Sequence, residues 1–190
     1  MKGELSPELI AEIEKMIPPY GTHGYEHTAR VLETCRHIGK IEVADLRILL
    51  PAALLHDVAR LDQNHAEAGA EKAKPILQRY GYTPTEIEEI ANAISTHSFS
   101  GKKPPTTLEG RILSDADKLD ALGALGVYRT AVYSGEHARP IEDFVAHFHE
   151  KLLKLEGLMF TAEARRMARD RTEYLGEFIS RLGRELKQGL

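Results

Sequence analysis

The run Leu49-Leu50-Pro51-Ala52-Ala53-Leu54-Leu55 carries no polar side chain, and His56-Asp57 follows it at once. A helix that is apolar all round has to lie inside the molecule, with other elements packed on every side. Its end therefore delivers a histidine and a carboxylate to the interior, where a carboxylate needs partners. The apolar stretch Ile48 to Leu55 contains Pro51 and is far shorter than the roughly 20 residues of a membrane span, so it predicts a central core helix.

The elements around it also read as helices, because no stretch shows the period-two alternation of Val, Ile and Thr that strands require. Ser6-Pro7-Glu8 reads as a cap with proline at the first helical position, and Pro18-Pro19 ends that helix. A second helix opens between Thr22 and Tyr25 and runs to about Lys40, with Val31, Cys35 and Ile38 on one stripe. Asp45 caps the central helix, and a fourth runs from about Asn64 to the stop at Gly81. Thr83-Pro84-Thr85-Glu86 is a capping box for a fifth, and Thr106-Thr107-Leu108-Glu109 repeats the pattern for a sixth reaching about Leu122. Gly123 and Gly126 loosen a short seventh that Gly135 closes, Pro140 starts an eighth, and Thr161 caps a long last one. The expected fold is an all-α, compact single-domain helical bundle over 1–190. Its motif-bearing core lies at about 20–129, and C-terminal helices over 140–190 pack on it.

Composition narrows the partners. With 190 residues, 42% hydrophobic and 28% charged, the chain suits one soluble domain. A net charge of −4 argues against life on a phosphate backbone or an anionic membrane, so neither nucleic acid nor membrane is expected as a partner. The start Met1-Lys2-Gly3-Glu4-Leu5 followed by Glu8, Glu12 and Glu14 resembles neither a signal nor a transit peptide, and a cytoplasmic location is expected. The single cysteine, Cys35, cannot form an internal disulfide or the usual thiolate zinc site. Any metal must therefore use nitrogen and oxygen donors, and nine histidines are present to supply them.

Three polar clusters interrupt segments that otherwise call for burial. His27 lies four residues before Val31 on the stripe of Cys35 and Ile38, His56-Asp57 ends the central run, and Asp115, Asp117 and Asp120 fall among Ile112-Leu113 and Leu119 to Leu125. Any one cluster alone is more often a structural ion pair than a site. Together, two histidines and two aspartates converging from three helices make a nitrogen and oxygen donor set for a divalent cation. Four protein donors around an octahedral ion leave positions open for water or substrate. Other combinations fare worse. His23 and His27 are spaced four apart as in zinc proteases, but Gly24 stands where the glutamate base belongs. The aspartates lack the spacing and glycine of a calcium loop. His137, His147 and His149 read as solvated, Arg165-Arg166, Arg169 and Arg171 alternate with acids as on a wet helix face, and the isolated Gly123 and Gly126 serve helix packing.

His27, His56-Asp57 and Asp117, in this order and on helices, resemble the motif of the HD-domain metal-dependent phosphohydrolases. The segments His23-Gly24-Tyr25-Glu26-His27-Thr28-Ala29-Arg30-Val31, Leu54-Leu55-His56-Asp57 and Asp115-Ala116-Asp117-Lys118-Leu119-Asp120-Ala121-Leu122-Gly123 carry the likeness, which is to the small stand-alone bacterial and archaeal members. His65-Ala66-Glu67-Ala68-Gly69 and Ala93-Ile94-Ser95-Thr96-His97 are similar to the third and fourth histidine segments of members that hold two metals. The resemblance implies His27, His56, Asp57 and Asp117 as ligands of one divalent ion (Mn, Fe, Ni, Co, Zn or Mg), with two ions as the alternative. Asp57, His65 and His97 are then the residues for acid, base or phosphate work, and Asp57 could orient or deprotonate the water that the cation activates. Arg30, Arg60, Lys118, His23 and Lys102, with Lys103 beside it, are the expected substrate contacts. Arg60 departs from the pattern, since some nucleotide-processing members place an acidic residue there. The loop Phe99 to Pro105 is expected to cover the substrate, and Tyr128, Tyr133 and Phe99 are available to stack on a base.

The activity implied is hydrolysis of a phosphate ester or anhydride, most often of a nucleotide, of the nucleoside triphosphate pyrophosphohydrolase or 5'-nucleotidase type. The alternative is a regulatory module that binds metal and nucleotide without turnover. The partner expected is a small phosphorylated molecule, and the chain a monomer or homodimer.

Overall fold

Helix α3 (Leu46–Leu55) is the buried rod that the apolar run predicts: every residue from Ile48 to Leu55 is buried, and Pro51 sits inside the helix. The structure, a computed structural model, describes residues 4–19, 21–98 and 103–188, and every regular element among them is helical. The chain divides into two compact units, Met1–Asp117 and Lys118–Leu190.

In the first unit α3 packs against α1 (Pro7–Met16), α2 (Tyr25–Ile41), α4 (His65–Arg79) and α5 (Pro84–Thr96). The α2 stripe is as read, with His27, Val31, Cys35 and Ile38 all fully buried. Gly39 lets α2 meet α3 closely, since a Cβ there would stand 2.6 Å from Leu49 Cδ2 and 2.8 Å from Leu46 Cδ2. Asp45 caps α3 by accepting from the Arg47 amide at 2.8 Å. Both halves of the Thr83–Glu86 capping box at the start of α5 are formed.

The second capping box is not formed. Helix α6 (Leu108–Leu119) begins after Thr107, whose hydroxyl accepts from the Gly110 amide at 3.1 Å. Glu109 stands one position too early to reach back to its own cap. Its carboxylate accepts instead from the Asp45 backbone amide at 2.9 Å, tying the start of α6 to the start of α3.

The second unit holds α7 (Gly123–Glu136), α8 (Ile141–Glu150), a 3₁₀ segment (Leu152–Leu158) absent from the sequence reading, and α9 (Ala162–Gln188). Its core centres on Phe148, Leu152, Leu155 and Leu175. Gly126 is required there, because a Cβ would collide with the Ala121 carbonyl at 2.2 Å. Asp120, buried, pairs with Arg129 at 2.8 Å, the ordinary fate of a buried carboxylate. Among the three histidines read as solvated, His137 and His149 are exposed, whereas His147 is half-buried and burial lowers its pKa. No helix among the described residues is long and apolar enough to cross a membrane.

Candidate metal centre

Four elements of the first unit bring the predicted donors together: the first turn of α2 carries His27, the end of α3 carries His56-Asp57, α5 ends at His97, and Asp117 lies in the last turns of α6. His27 Nε2 faces His56 Nε2 at 3.3 Å, Asp117 Oδ1 at 3.3 Å and Asp57 Oδ2 at 3.7 Å. His56 Nε2 also stands 3.7 Å from Asp57 Oδ2.

The backbone sets the ring orientations. His56 donates Nδ1–H to the Ala53 carbonyl at 2.8 Å, and His97 donates Nδ1–H to Ile94 at 2.6 Å. Each ring thus presents a lone pair at Nε2, the arrangement that orients histidine ligands in metal sites. The structure points His56 Nε2 at a second ring nitrogen, His27 Nε2, and one ring proton there cannot serve all the acceptors around it. Asp57 Oδ1, moreover, is buried without a hydrogen-bond partner. Converging ring nitrogens and an orphaned buried carboxylate oxygen fit a divalent cation. Three triads among the described residues bring their donor atoms within 4.8 Å of one another: His23, His27 and Asp57; His27, His56 and Asp117; His56, Asp57 and His97.

The electrostatics agree with this arrangement. Burial pushes the Asp57 carboxyl up, but His56 and the His23 hydrogen bond outweigh it and hold the group well below the usual carboxylate range. Asp117 is depressed likewise, burial being outweighed by its bond to His27 and by the nearby histidines. Burial lowers His97 to about 4, and burial likewise lowers His23 and His65. The carboxylates are charged and these rings neutral near pH 7, as metal donors must be.

Two residues read as substrate contacts sit closer to the donors than expected. His23, in the turn before α2, donates Nδ1–H to Asp57 Oδ2 at 3.0 Å. Its spacing of four from His27 was the available signal, although the glycine after it argued against a zinc protease. Arg60 donates to His23 Nε2 at 2.9 Å and to His65 Nε2 at 3.2 Å, and stands 3.7 Å from Asp57 Oδ1. His97, one of the two outer histidines, is fully buried and packs edge-on against His56 and His65.

Arg30 is half-buried on α2. Lys118 belongs to the second unit, buried with its ammonium 4.9 Å over the Phe160 ring. Lys102 and Phe99 lie outside the described residues, and Lys103 is exposed. Tyr128 is exposed, and Tyr133 already stacks on His137 at 4.0 Å. Beside the donors opens a cavity of about 410 Å³, lined by His23, Asp57 and Arg60 and walled by Met16, Ile17 and Leu61. Residue spacing carries no sign of that apolar wall, because Met16 and Ile17 read only as the end of α1.

Residues 24–122 match the family model of the HD domain. The chain is 30% identical over 173 residues to the uncharacterized protein YpgQ of Bacillus subtilis, covering 86% of this chain and 84% of that one. A crystal structure of YpgQ in complex with ADP superposes with a TM-score of 0.82 at 27% identity, over 94% of this chain and 93% of the other. A predicted HD superfamily hydrolase from an uncultured Thermotogales bacterium is 33% identical with a TM-score of 0.72, covering 94% and 91% of the two chains. An HD-superfamily hydrolase from Bacillus thuringiensis is 32% identical with a TM-score of 0.79, covering 95% of each.

Proposed function

Because this chain belongs to the HD-domain family, we propose that it is a metal-dependent phosphohydrolase whose substrate is a nucleotide. The observation that carries this reading is the convergence of His27, His56, Asp57 and Asp117, with ring nitrogens facing one another and one orphaned carboxylate oxygen. These four residues would hold the ion, drawn from Mn, Fe, Ni, Co, Zn or Mg. When bound, the cation supplies Lewis acidity toward a water and a phosphoryl oxygen.

The surrounding residues have tasks of their own. Arg60, at the edge of the cavity, provides fixed positive charge against a phosphate. His23 keeps Asp57 oriented through its Nδ1–H bond. His65, half-buried and held neutral, is suited to move a proton to or from the leaving group. The apolar wall of Met16, Ile17 and Leu61 offers room for the part of the substrate that carries no charge. The ADP in the YpgQ complex supports a nucleotide as ligand class. A cytoplasmic location and a single functional domain over the whole chain accompany this reading.

The test is a screen of nucleoside mono-, di- and triphosphates and of model phosphate esters with added manganese, magnesium, nickel or cobalt. The products expected are nucleoside monophosphate with pyrophosphate, or nucleoside with phosphate. Tight nucleotide and metal binding without turnover across the screen would place the chain among regulatory binding modules instead.

A further inference from the structure

The centre holds more donors than one ion uses. His27, His56 and Asp117 form one triad, and His56, Asp57 and His97 form another beside it. Two cations about 3.5–4 Å apart could share such a set. Yet Asp57, a member of the second triad, already has a positively charged side chain of the protein beside it. Arg60 donates to His65 Nε2 at 3.2 Å and lies 3.7 Å from Asp57 Oδ1, while its other terminal nitrogen donates to His23 Nε2 at 2.9 Å. A guanidinium has only donors to offer, so both imidazoles must present lone pairs to it. His65 joins none of the three triads among the described residues, its ring lying 5.6 Å from that of His97.

Resting on the proposed metal-dependent reading, we propose that Arg60 is a built-in counter-cation that limits the centre to one ion and masks a second site at the triad of His56, Asp57 and His97. A guanidinium is permanently charged, so it repels a second divalent ion at any physiological pH. The Arg60 side chain is 37% exposed, so it can be shortened without opening the core.

Manganese stoichiometry, measured by titration calorimetry and by metal analysis after dialysis against excess ion, tests this without reference to activity. Wild type should take up one ion per chain. Arg60→Ala should take up two, Arg60→Lys, which keeps the charge, should remain at one, and Arg60→Ala combined with His97→Ala should return to one. Unchanged helicity by circular dichroism keeps the comparison valid, and Arg60→Gln serves as a second neutral variant expected to bind two. One ion in both neutral variants, or two in Arg60→Lys or in wild type, would overturn the proposal while leaving the hydrolase reading intact. No ion in wild type would overturn both.

Discussion

Adding one methyl group at Gly39 should push α2 and α3 apart. A Cβ there would sit 2.6 Å from Leu49 Cδ2 and 2.8 Å from Leu46 Cδ2, against an ordinary carbon contact of about 3.5–4.0 Å. Leu49 is fully buried, so it has little space into which to swing. Overpacking of this size costs about 1–3 kcal/mol, and the better helix propensity of alanine returns about 1 kcal/mol. Gly39→Ala should therefore lose up to about 2 kcal/mol, lowering Tm by up to about 6 °C for a chain of this size. The donors should feel it as well, since His27 comes from α2 and His56-Asp57 from α3. Manganese should bind several-fold more weakly, because a centre tolerates only small errors in donor position. Urea melts and metal titrations of Gly39→Ala, Leu49→Ala and the double variant give the measurement. The double variant should be less destabilised than the sum of the singles, because trimming Leu49 removes the overlap. A Gly39→Ala protein more stable than wild type, or strictly additive losses, would refute the close-seam reasoning.

Asp57→Ala should abolish metal uptake and turnover while circular dichroism stays helical, and metal affinity should fall far more for Asp117→Asn than for Asp115→Asn; equal losses would move the ligand two residues upstream. In the metal-free protein, His97 binds a proton only near pH 4, whereas its unfolded form does so near 6.5. The unfolded state therefore takes up the extra proton as pH falls, and stability should drop by up to about 3 kcal/mol between pH 6.5 and 4; chemical denaturation across that range should show a shallower slope for His97→Gln. Val43 holds a left-handed backbone (φ 58) after α2 while fully outside the core, so Val43→Gly should stabilise the fold by roughly 0.5–1 kcal/mol and leave metal binding unchanged.

The signals that proved legible are those that act along the chain or through burial alone. An all-apolar run has one place to go, and α3 goes there; a Thr-Pro-Thr-Glu box satisfies its own helix, and α5 starts on it. Glu109 shows where such reading fails. Its local pattern matches a capping box, but the competing partner, the Asp45 amide, is 64 residues away in sequence. The donors themselves were visible because polar residues in apolar stretches conflict with burial. What Arg60 does to them was not, since nothing in the spacing of residues 56–65 says that one guanidinium will bridge two imidazoles. The depth of His97 was hidden too, because a histidine at a helix end reads equally well as rim or interior.

The bond from the Asp45 amide to Glu109 joins α3 and α6 at the ends farthest from the chemistry, like the rivet of a pair of tongs. Asp117 lies eight residues beyond Glu109, about 12 Å along the axis at 1.5 Å per residue. A tilt of about 5° at the rivet would swing its carboxylate by about 1 Å, several times the tolerance of roughly 0.2 Å expected of a metal–ligand distance. Metal affinity should thus act as a gauge of alignment at a surface far from the ion. Screens that seek stabilised variants by changing the half-buried start of α6 would do well to monitor it.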